Sequence, residues 1–187
     1  MTNSVVLASS SPRRKQLLEW AEIPFEIVVE PVEETFPPDL EPADAAQHIA
    51  LKKAKAVQPL LPAEKIIIAA DTMVVLDRTI IGKPKDKNDA VEILMNLQGR
   101  VHQVITGVAI LKGDQQILFA DITEVTFNPL TKEALVFYVE KYKPYDKAGA
   151  YAIQEWIGVV GIKKINGDFY NVMGLPVSRL VAALKNI

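Results

Sequence analysis

Apolar and polar residues follow one another along the chain in blocks that predict alternating strands and helices. An apolar segment at 5–8 is followed by a polar turn and a predicted helix at 12–21, for which Ser11 is a natural N-cap. The run KIIIAA at 65–70 is continuously apolar after its first residue, which is typical of a strand buried on both faces of a sheet. Between these strands, 43–57 carries apolar residues at helical spacing.

The remaining segments add antiparallel hairpins to this pattern. Strands are predicted at 101–111 and 115–127 around Lys112-Gly113-Asp114, and a second hairpin is predicted from 159–165 and 169–172. The other predicted elements are strands at 25–29, 73–76 and 79–81, and helices at 86–97, 131–142 and from 176 onward. Interleaved helices and strands with long hairpins favour an α/β fold with a mixed, twisted sheet and flanking helices. We expect residues 1–187 to form a single domain.

Composition narrows the classes of function. The chain is 49% hydrophobic and 24% charged, which suffices for a sizeable core and excludes global disorder. The net charge of −2 is not that of a protein that coats nucleic acid or an anionic membrane, so we expect neither partner. Because there is no Cys, thiolate nucleophiles and Cys-ligated metals are excluded. The first residues resemble neither a signal peptide nor a membrane span, and we expect a cytoplasmic protein.

Several common catalytic motifs are absent. The sequence contains neither GxSxG nor HExxH, and its two histidines, His48 and His102, do not have the spacing of metal ligands. Gly82-Lys83 resembles the end of a P-loop, but Pro84 follows where that motif needs Ser or Thr. The chemistry must therefore come from carboxylates, hydroxyls and cationic side chains.

The turn at 9–14, SSSPRR, is a candidate phosphate site. It lies between a predicted buried strand and a helix N-terminus, where unpaired N–H groups and the helix dipole favour anions. Its hydroxyls and guanidiniums add donors that suit phosphate oxygens. The alternative is an ordinary capped helix with solvated arginines, and the strand–turn–helix context favours phosphate binding. The candidate ligands are Ser9, Ser11, Arg13 and Arg14.

Asp71 and Thr72 directly follow the buried run that ends at Ala70. The carboxyl end of a parallel strand is where α/β folds place their ligands. A carboxylate there can bind Mg²⁺ or orient a water, whereas the alternative is an Asp that only caps a turn.

The segment 146–154, DKAGAYAIQ, is the third candidate. Its small residues allow the backbone to approach a ligand, Lys147 supplies a charge, and Gln154 can donate to and accept from a base edge. The alternative is a plain loop with a helical turn. The other charged candidates are Glu33-Glu34, Lys53, Lys83 and Glu124, where the alternative for Lys53 is a solvated helix face that it shares with Lys52 and Lys55.

At these residues the sequence resembles the Maf family of nucleoside triphosphate pyrophosphatases. The matching segments occur in one order along the chain: SSSPRR at 9–14, Glu34, KA at 53–54, ADT at 70–72, GKP at 82–84, GRVHQVITGV at 99–108, Glu124, DKAGAYAIQ at 146–154 and NVMGLP at 171–176. The resemblance implies a fold similar to inosine triphosphate pyrophosphatase, with two lobes around a cleft. It also implies hydrolysis of a nucleoside triphosphate to the monophosphate and diphosphate with a divalent metal, Mg²⁺ or Mn²⁺, which would remove non-standard or surplus nucleotides.

The resemblance also implies roles for individual residues. Asp71 matches the family's proton acceptor, and Arg13, Thr72 and Gln154 match positions associated with substrate choice. The subgroup with Gln at this position prefers dTTP and UTP. One departure is visible: Glu155-Trp156 follow Gln154, where many members have Gly.

The reaction makes electrostatic demands that these residue types can meet. A triphosphate carries about four negative charges, so its cleavage needs positioning and charge stabilisation more than covalent chemistry. Cations are available at Arg13, Arg14, Lys53, Lys83 and Lys147, and metal-binding oxygens at Glu34, Asp71 and Glu124. Two alternatives stay open, a non-catalytic nucleotide-binding regulator of cell division and a purine-selective house-cleaning pyrophosphatase, as does a homodimer. The presence of both Asp71 and Glu34 favours an enzyme.

Overall fold

The computed structural model describes residues 5–187. The strands are β1 (Val5–Leu7), β2 (Phe25–Ile27), β3 (Ile67–Leu76), β4 (Thr79–Ile81), β5 (Val101–Lys112), β6 (Gln115–Phe127) and β7 (Ile162–Asn166). The helices are α1 (Pro12–Trp20), α2 (Pro42–Val57), α3 (Lys87–Leu97), α4 (Lys132–Tyr142), α5 (Trp156–Gly161), α6 (Phe169–Met173) and α7 (Val177–Leu184). Short 3-10 helices occupy Gln58–Leu60 and Ala148–Ala150.

The strands form a mixed sheet in the order β2-β1-β3-β5-β6-β7, with β4 paired to β3. Strand β1 pairs in parallel with both β2 and β3, whereas the β3–β4 and β6–β7 pairs are antiparallel. The predicted α/β class with a mixed sheet and flanking helices is therefore confirmed.

The chain divides into two compact units. The first contains residues 5–72, Thr106–Asp121 and Gly174–Ile187, and the second contains Met73–Ile105 and Ile122–Met173. The expectation of a single domain over 1–187 stays a prediction, as does the cleft between two lobes.

Along residues 5–187, no helix is long and apolar enough to cross a membrane. The prediction that no signal peptide or membrane span opens the chain falls partly on residues 1–4, which lie outside the described residues.

In the first unit, α2 packs closely against the sheet because small residues line its buried face. Ala50 and Ala54 belong to a buried cluster with Val6, Ile67 and other apolar residues of the strands. A Cβ added at Gly107 would lie 2.3 Å from the carbonyl carbon of Ala46, so only glycine allows the two backbones to approach this closely. This packing fixes α2, which carries Lys53.

In the second unit, the turn at Ala148–Ala150 packs against α3. Gly149 has a φ of +71°, and its N–H donates to the carbonyl of Gly82 at 3.1 Å. A Cβ at Gly149 would lie 2.8 Å from Cγ2 of Val74. The small residues of the 146–154 segment therefore serve close packing within this unit.

The predicted hairpin over 159–172 is wrong: its first strand is confirmed only from Ile162 onward, and its second strand is a helix. The run 159–161 belongs to helix α5 and 169–172 belongs to helix α6, so only Ile162–Asn166 of that predicted hairpin is a strand. Val159, Val160, Phe169 and Tyr170 are residue types that favour strands. Instead, Asp168 Oδ1 accepts the N–H of Tyr170 at 2.8 Å, which begins α6 in the way that an N-cap begins a helix.

The predicted strands at 65–70 and 73–76 form one continuous strand, β3. Asp71 therefore lies within a strand rather than after its end. Its position still follows the parallel part of β3, because the pairing with β1 ends at Ile68 and the antiparallel pairing with β4 begins at Val74.

Candidate active site

Serine hydroxyls organise the polar turn that follows β1. Ser11 is the N-cap of α1, and its Oγ accepts the N–H of Arg14 at 3.5 Å, as the sequence predicts. Ser9 is buried, and its Oγ accepts the N–H of Ser11 at 3.2 Å. Both hydroxyls therefore lie at the positive end of a nine-residue helix.

Arg14 is the buried centre of this turn. Its Nε donates to the carbonyl of Gly174 at 2.8 Å, Nη1 donates to Ser9 Oγ at 3.1 Å, and Nη2 donates to Thr72 Oγ1 at 3.0 Å. Burial lowers the pKa of Arg14 to about 10, against the opposing attraction of Asp71. Arg14 still carries its charge at neutral pH, and it links three separate segments of the first unit. Arg13, the preceding residue, is half-buried.

Lys53 brings two predicted carboxylates together. Its Nζ lies 2.7 Å from Asp71 Oδ1 and 2.7 Å from Glu34 Oε1. The side chains of Lys53 and Asp71 are 17% and 12% exposed, whereas that of Glu34 is 44% exposed. Helix α2, strand β3 and the loop before α2 therefore each supply one charged group to the same cluster.

Thr72 connects the carboxylate cluster to the arginine. Besides accepting from Arg14, its Oγ1 lies 2.9 Å from the hydroxyl oxygen of Thr106 on β5. Gly174 has a φ of +119°, and a Cβ there would lie 3.5 Å from Thr72 Oγ1. Thr106 and Gly174 are not among the site residues that the sequence predicts, although both lie in segments that resemble the family. Their partners are distant along the chain, so no local spacing pointed to them.

In the second unit, Lys147 and Gln154 flank the segment that contains the 3-10 helix Ala148–Ala150. Lys147 Nζ lies 2.8 Å from Asp146 Oδ1 and 3.8 Å from Glu155 Oε1, and its side chain is only 11% exposed. Residues 151–153 are buried, whereas Gln154 is exposed. Gln154 therefore presents its amide to solvent.

The other two predicted site residues of the second unit are exposed. Lys83 lies in the turn after β4 and Glu124 lies on β6. Glu124 Oε2 accepts a hydrogen bond from Asn166 Nδ2 at 3.2 Å. The structure thus brings together Ser9, Ser11, Arg14 and Thr72, and also Glu34, Lys53 and Asp71, while Glu124 is engaged with β7.

The donor set of the first unit fits a hard divalent cation. Glu34 and Asp71 direct oxygens at a single cationic group, the Lys53 ammonium, so their carboxylates already converge on positive charge. Over the described part of the chain, no group of three or more acidic or histidine side chains is placed to hold a metal ion. Two carboxylates suit an ion that keeps water or phosphate oxygens as its remaining ligands, as Mg²⁺ usually does.

Comparison with solved structures defines the fold class. The chain is similar to the Ham1 protein of Staphylococcus aureus, with a TM-score of 0.55 and 18% identity over 98% of this chain and 99% of that one. It is also similar to a HAM1 protein from Coxiella burnetii, with a TM-score of 0.51 and 14% identity over 99% and 100% of the two chains. The chain therefore has the Ham1-type α/β fold.

Comparison with sequences identifies the family. Residues 4–187 match the model of the Maf-like protein family, and the chain belongs to that family. A dTTP/UTP pyrophosphatase of Cytophaga hutchinsonii is 50% identical over 98% of this chain and 84% of its own length. Proteins of the same name from Phocaeicola vulgatus and Bacillus cytotoxicus are 46% and 48% identical, over 98% and 96% of this chain and 95% and 93% of their own lengths.

Proposed function

We propose that this protein hydrolyses nucleoside triphosphates, dTTP and UTP above others, to the nucleoside monophosphate and diphosphate. The observation that carries the proposal is the Glu34–Lys53–Asp71 cluster, because it places a shielded carboxylate beside a cation in the unit that also holds the serine–arginine turn. The relatives named dTTP/UTP pyrophosphatase support the same reaction and substrates. A cytoplasmic location follows from this role, since nucleotide pools are used there.

Asp71 is the proposed general base. Its carboxylate would take a proton from the water that attacks the triphosphate, and Lys53 holds it in place through a bond at 2.7 Å. The N-terminus of α1 and the Ser11 hydroxyl offer donors to phosphate oxygens, and Arg13 adds charge beside them. Arg14 fixes this turn relative to Thr72, so that donors and base keep one geometry.

A divalent cation, Mg²⁺ or Mn²⁺, is part of the proposal. Glu34 and Asp71 would hold it, because their carboxylates converge on one positive charge, the Lys53 ammonium. When bound, such an ion lowers the pKa of an attacking water and neutralises phosphate charge.

Gln154 is the proposed reader of the base. Uracil and thymine present an acceptor–donor–acceptor edge, which a planar amide with one acceptor and two donors can pair with at two points. Cytosine presents a different order of groups, and guanine is larger. A site that forms hydrogen bonds with a substrate rejects analogues that leave its polar groups unpaired.

Product analysis tests the reaction. Purified protein is incubated with UTP and Mg²⁺ or Mn²⁺ and followed by phosphorus NMR, with a sample containing excess chelator as control. We expect UMP and diphosphate, and no turnover with chelator. Release of orthophosphate and UDP would refute the assignment, and turnover that persists with chelator would remove the metal from it.

A substitution tests the reading of the base. Gln154→Glu removes both amide donors and adds a negative charge, so we expect it to lose the preference for UTP over CTP and to gain relatively on 7-methyl-GTP, whose N1–H and N2–H₂ offer donors. The measurement is kcat/KM for UTP, CTP, GTP and 7-methyl-GTP on both proteins. An unchanged order of preference would show that Gln154 does not read the base.

A further inference from the structure

A four-residue turn carries Gln154. The N–H of Glu155 donates to the carbonyl of Ala152 at 3.1 Å, which closes a β-turn over residues 152–155 with Gln154 at its third position. Ala152 and Ile153 are each 4% exposed, whereas Gln154 is exposed. One side of the turn is thus fixed in the core, and the amide lies on the other side.

A single buried hydroxyl contacts both ends of this turn. Tyr138 on α4 is fully buried, and its Oη accepts the N–H of Ala152 at 3.1 Å. The same hydroxyl donates to Oε2 of Glu155. The first and last residues of the turn are therefore joined through one side chain of a neighbouring helix, in addition to their own backbone bond.

The carboxylate of Glu155 does not cap the helix that follows it. Glu155 is the N-cap residue of α5, but its side chain makes no capping hydrogen bond. One of its oxygens accepts from Tyr138, and the other lies 3.8 Å from the Nζ of Lys147. The carboxylate thus links the turn both to α4 and to the lysine that precedes the turn.

We propose that Tyr138 and Glu155 are a pair of positioning residues that hold the 152–155 turn in one conformation, and that this sets how strictly Gln154 discriminates between bases. The inference rests on the proposed function for its effect on substrates. Neither side chain needs to touch the nucleotide. A mobile amide would still form hydrogen bonds with uracil, but it would also adapt to cytosine, so rigidity is what separates the two bases.

The test uses Tyr138→Phe and Glu155→Ala, which each remove one half of the pair. Glu155→Gln is the conservative variant, because its amide oxygen can still accept from the tyrosine hydroxyl. Tyr142→Phe is the matched control, because it removes a hydroxyl from the ring that stacks on Tyr138 and belongs to the same helix. If Tyr138→Phe does not fold, Glu155→Ala at its half-buried position carries the test alone.

Two measurements are made on each variant. Amide hydrogen exchange at Ala152 and Glu155 reports the turn itself, and it does not depend on activity. The ratio of kcat/KM for UTP to that for CTP reports discrimination. We expect Tyr138→Phe and Glu155→Ala to speed exchange at both amides and to lower the ratio by about tenfold, through changes in KM, chiefly a lower KM for CTP, rather than in kcat. We expect Glu155→Gln to keep most of the ratio, and Tyr142→Phe to match the wild type.

The proposal is overturned if the UTP-to-CTP ratio of Tyr138→Phe and Glu155→Ala equals that of the wild type, or if exchange at the two amides does not change. A wild-type protein that does not hydrolyse UTP would instead refute the proposed function. In that case the dissociation constants for UTP and CTP are measured with chelator on the same variants. Their ratio shows, without turnover, whether Tyr138 and Glu155 set the discrimination between the two bases.

Discussion

Replacing Asp71 by Asn separates its chemical role from its structural one. The substitution keeps the side-chain volume and an oxygen that can accept from Lys53, but it removes the charge. Lys53 keeps Glu34 at 2.7 Å, so no cation is left buried without a carboxylate. What is lost is the charge-assisted part of one hydrogen bond, about 1 kcal/mol, and not the ~3–5 kcal/mol that follows when a buried pair is broken.

The effect on catalysis should be larger than the effect on stability. For a chain of this length, a loss of about 1 kcal/mol shifts Tm by about 2–4 °C. Loss of a general base lowers kcat by about 10²-fold or more, which corresponds to roughly 2.7 kcal/mol in the activation barrier. We therefore expect Asp71→Asn, at a saturating concentration of Mg²⁺, to stay folded and to bind UTP, with kcat reduced by at least this factor.

The assay combines steady-state kinetics on UTP with thermal melting. Glu34→Gln is the companion variant, since Glu34 shares the Lys53 ammonium. Asp114→Asn in an exposed turn is the surface control, and it should change neither quantity. Near wild-type turnover by Asp71→Asn, with a collapse in Glu34→Gln, would refute the assignment and make Glu34 the base.

Three further predictions follow from particular side chains. Burial lowers the pKa of His102 from 6.5 to about 4, so the unfolded chain takes up a proton that the folded chain does not. Stability should therefore fall by up to about 3 kcal/mol as the pH drops from 6.5 to 4 in denaturant titrations, and His102→Gln should flatten this profile. Gly149→Ala, at a φ of +71° and 2.8 Å from Val74, should cost about 2 kcal/mol in the same titrations, and an unchanged midpoint would contradict the packing argument. Arg13→Ala should raise KM for UTP with a Tm shift of less than a few degrees, whereas a large stability loss with unchanged kinetics would make Arg13 structural.

Local signals account for the parts of the fold that the sequence predicted. The start of α1 at Pro12 after Ser11 and the long β5–β6 hairpin follow from capping and turn chemistry, which act over a few residues. At 169–172, where the prediction failed completely, a local bond from Asp168 is joined by contacts to residues that are distant along the chain. Asn171 lies in the predicted strand 169–172. Its side chain donates to the carbonyl of Val104 and to the hydroxyl of Thr123, and these contacts favour helix α6 over the β-propensity of its neighbours.

In the candidate site, too, some features could be predicted from the sequence and others depend on contacts between distant segments. The carboxylates and the serine–arginine turn could be selected because their residue types and positions after strands carry chemical meaning. The hydrogen-bond partners of those groups could not be predicted from the sequence. That Arg14 would be buried, with Gly174 as an acceptor 160 positions away, depends on the tertiary fold alone. The departure at Glu155 was visible, but its bond to Tyr138 required the packing of α4 against the turn.

The charges of the candidate site residues in the first unit explain why a cation is expected in the reaction. Arg13, Arg14 and Lys53 bring three positive charges, and Glu34 and Asp71 bring two negative ones. Much of this positive charge is already engaged, since Lys53 contacts both carboxylates and Arg14 donates to three oxygens of the protein. A triphosphate adds about four negative charges, and uncompensated charge is costly wherever water is excluded. A divalent ion on the two carboxylates would offset two of those charges, and Lys53 would no longer be the only cation paired with both carboxylates. Substrate and metal should therefore bind with positive coupling.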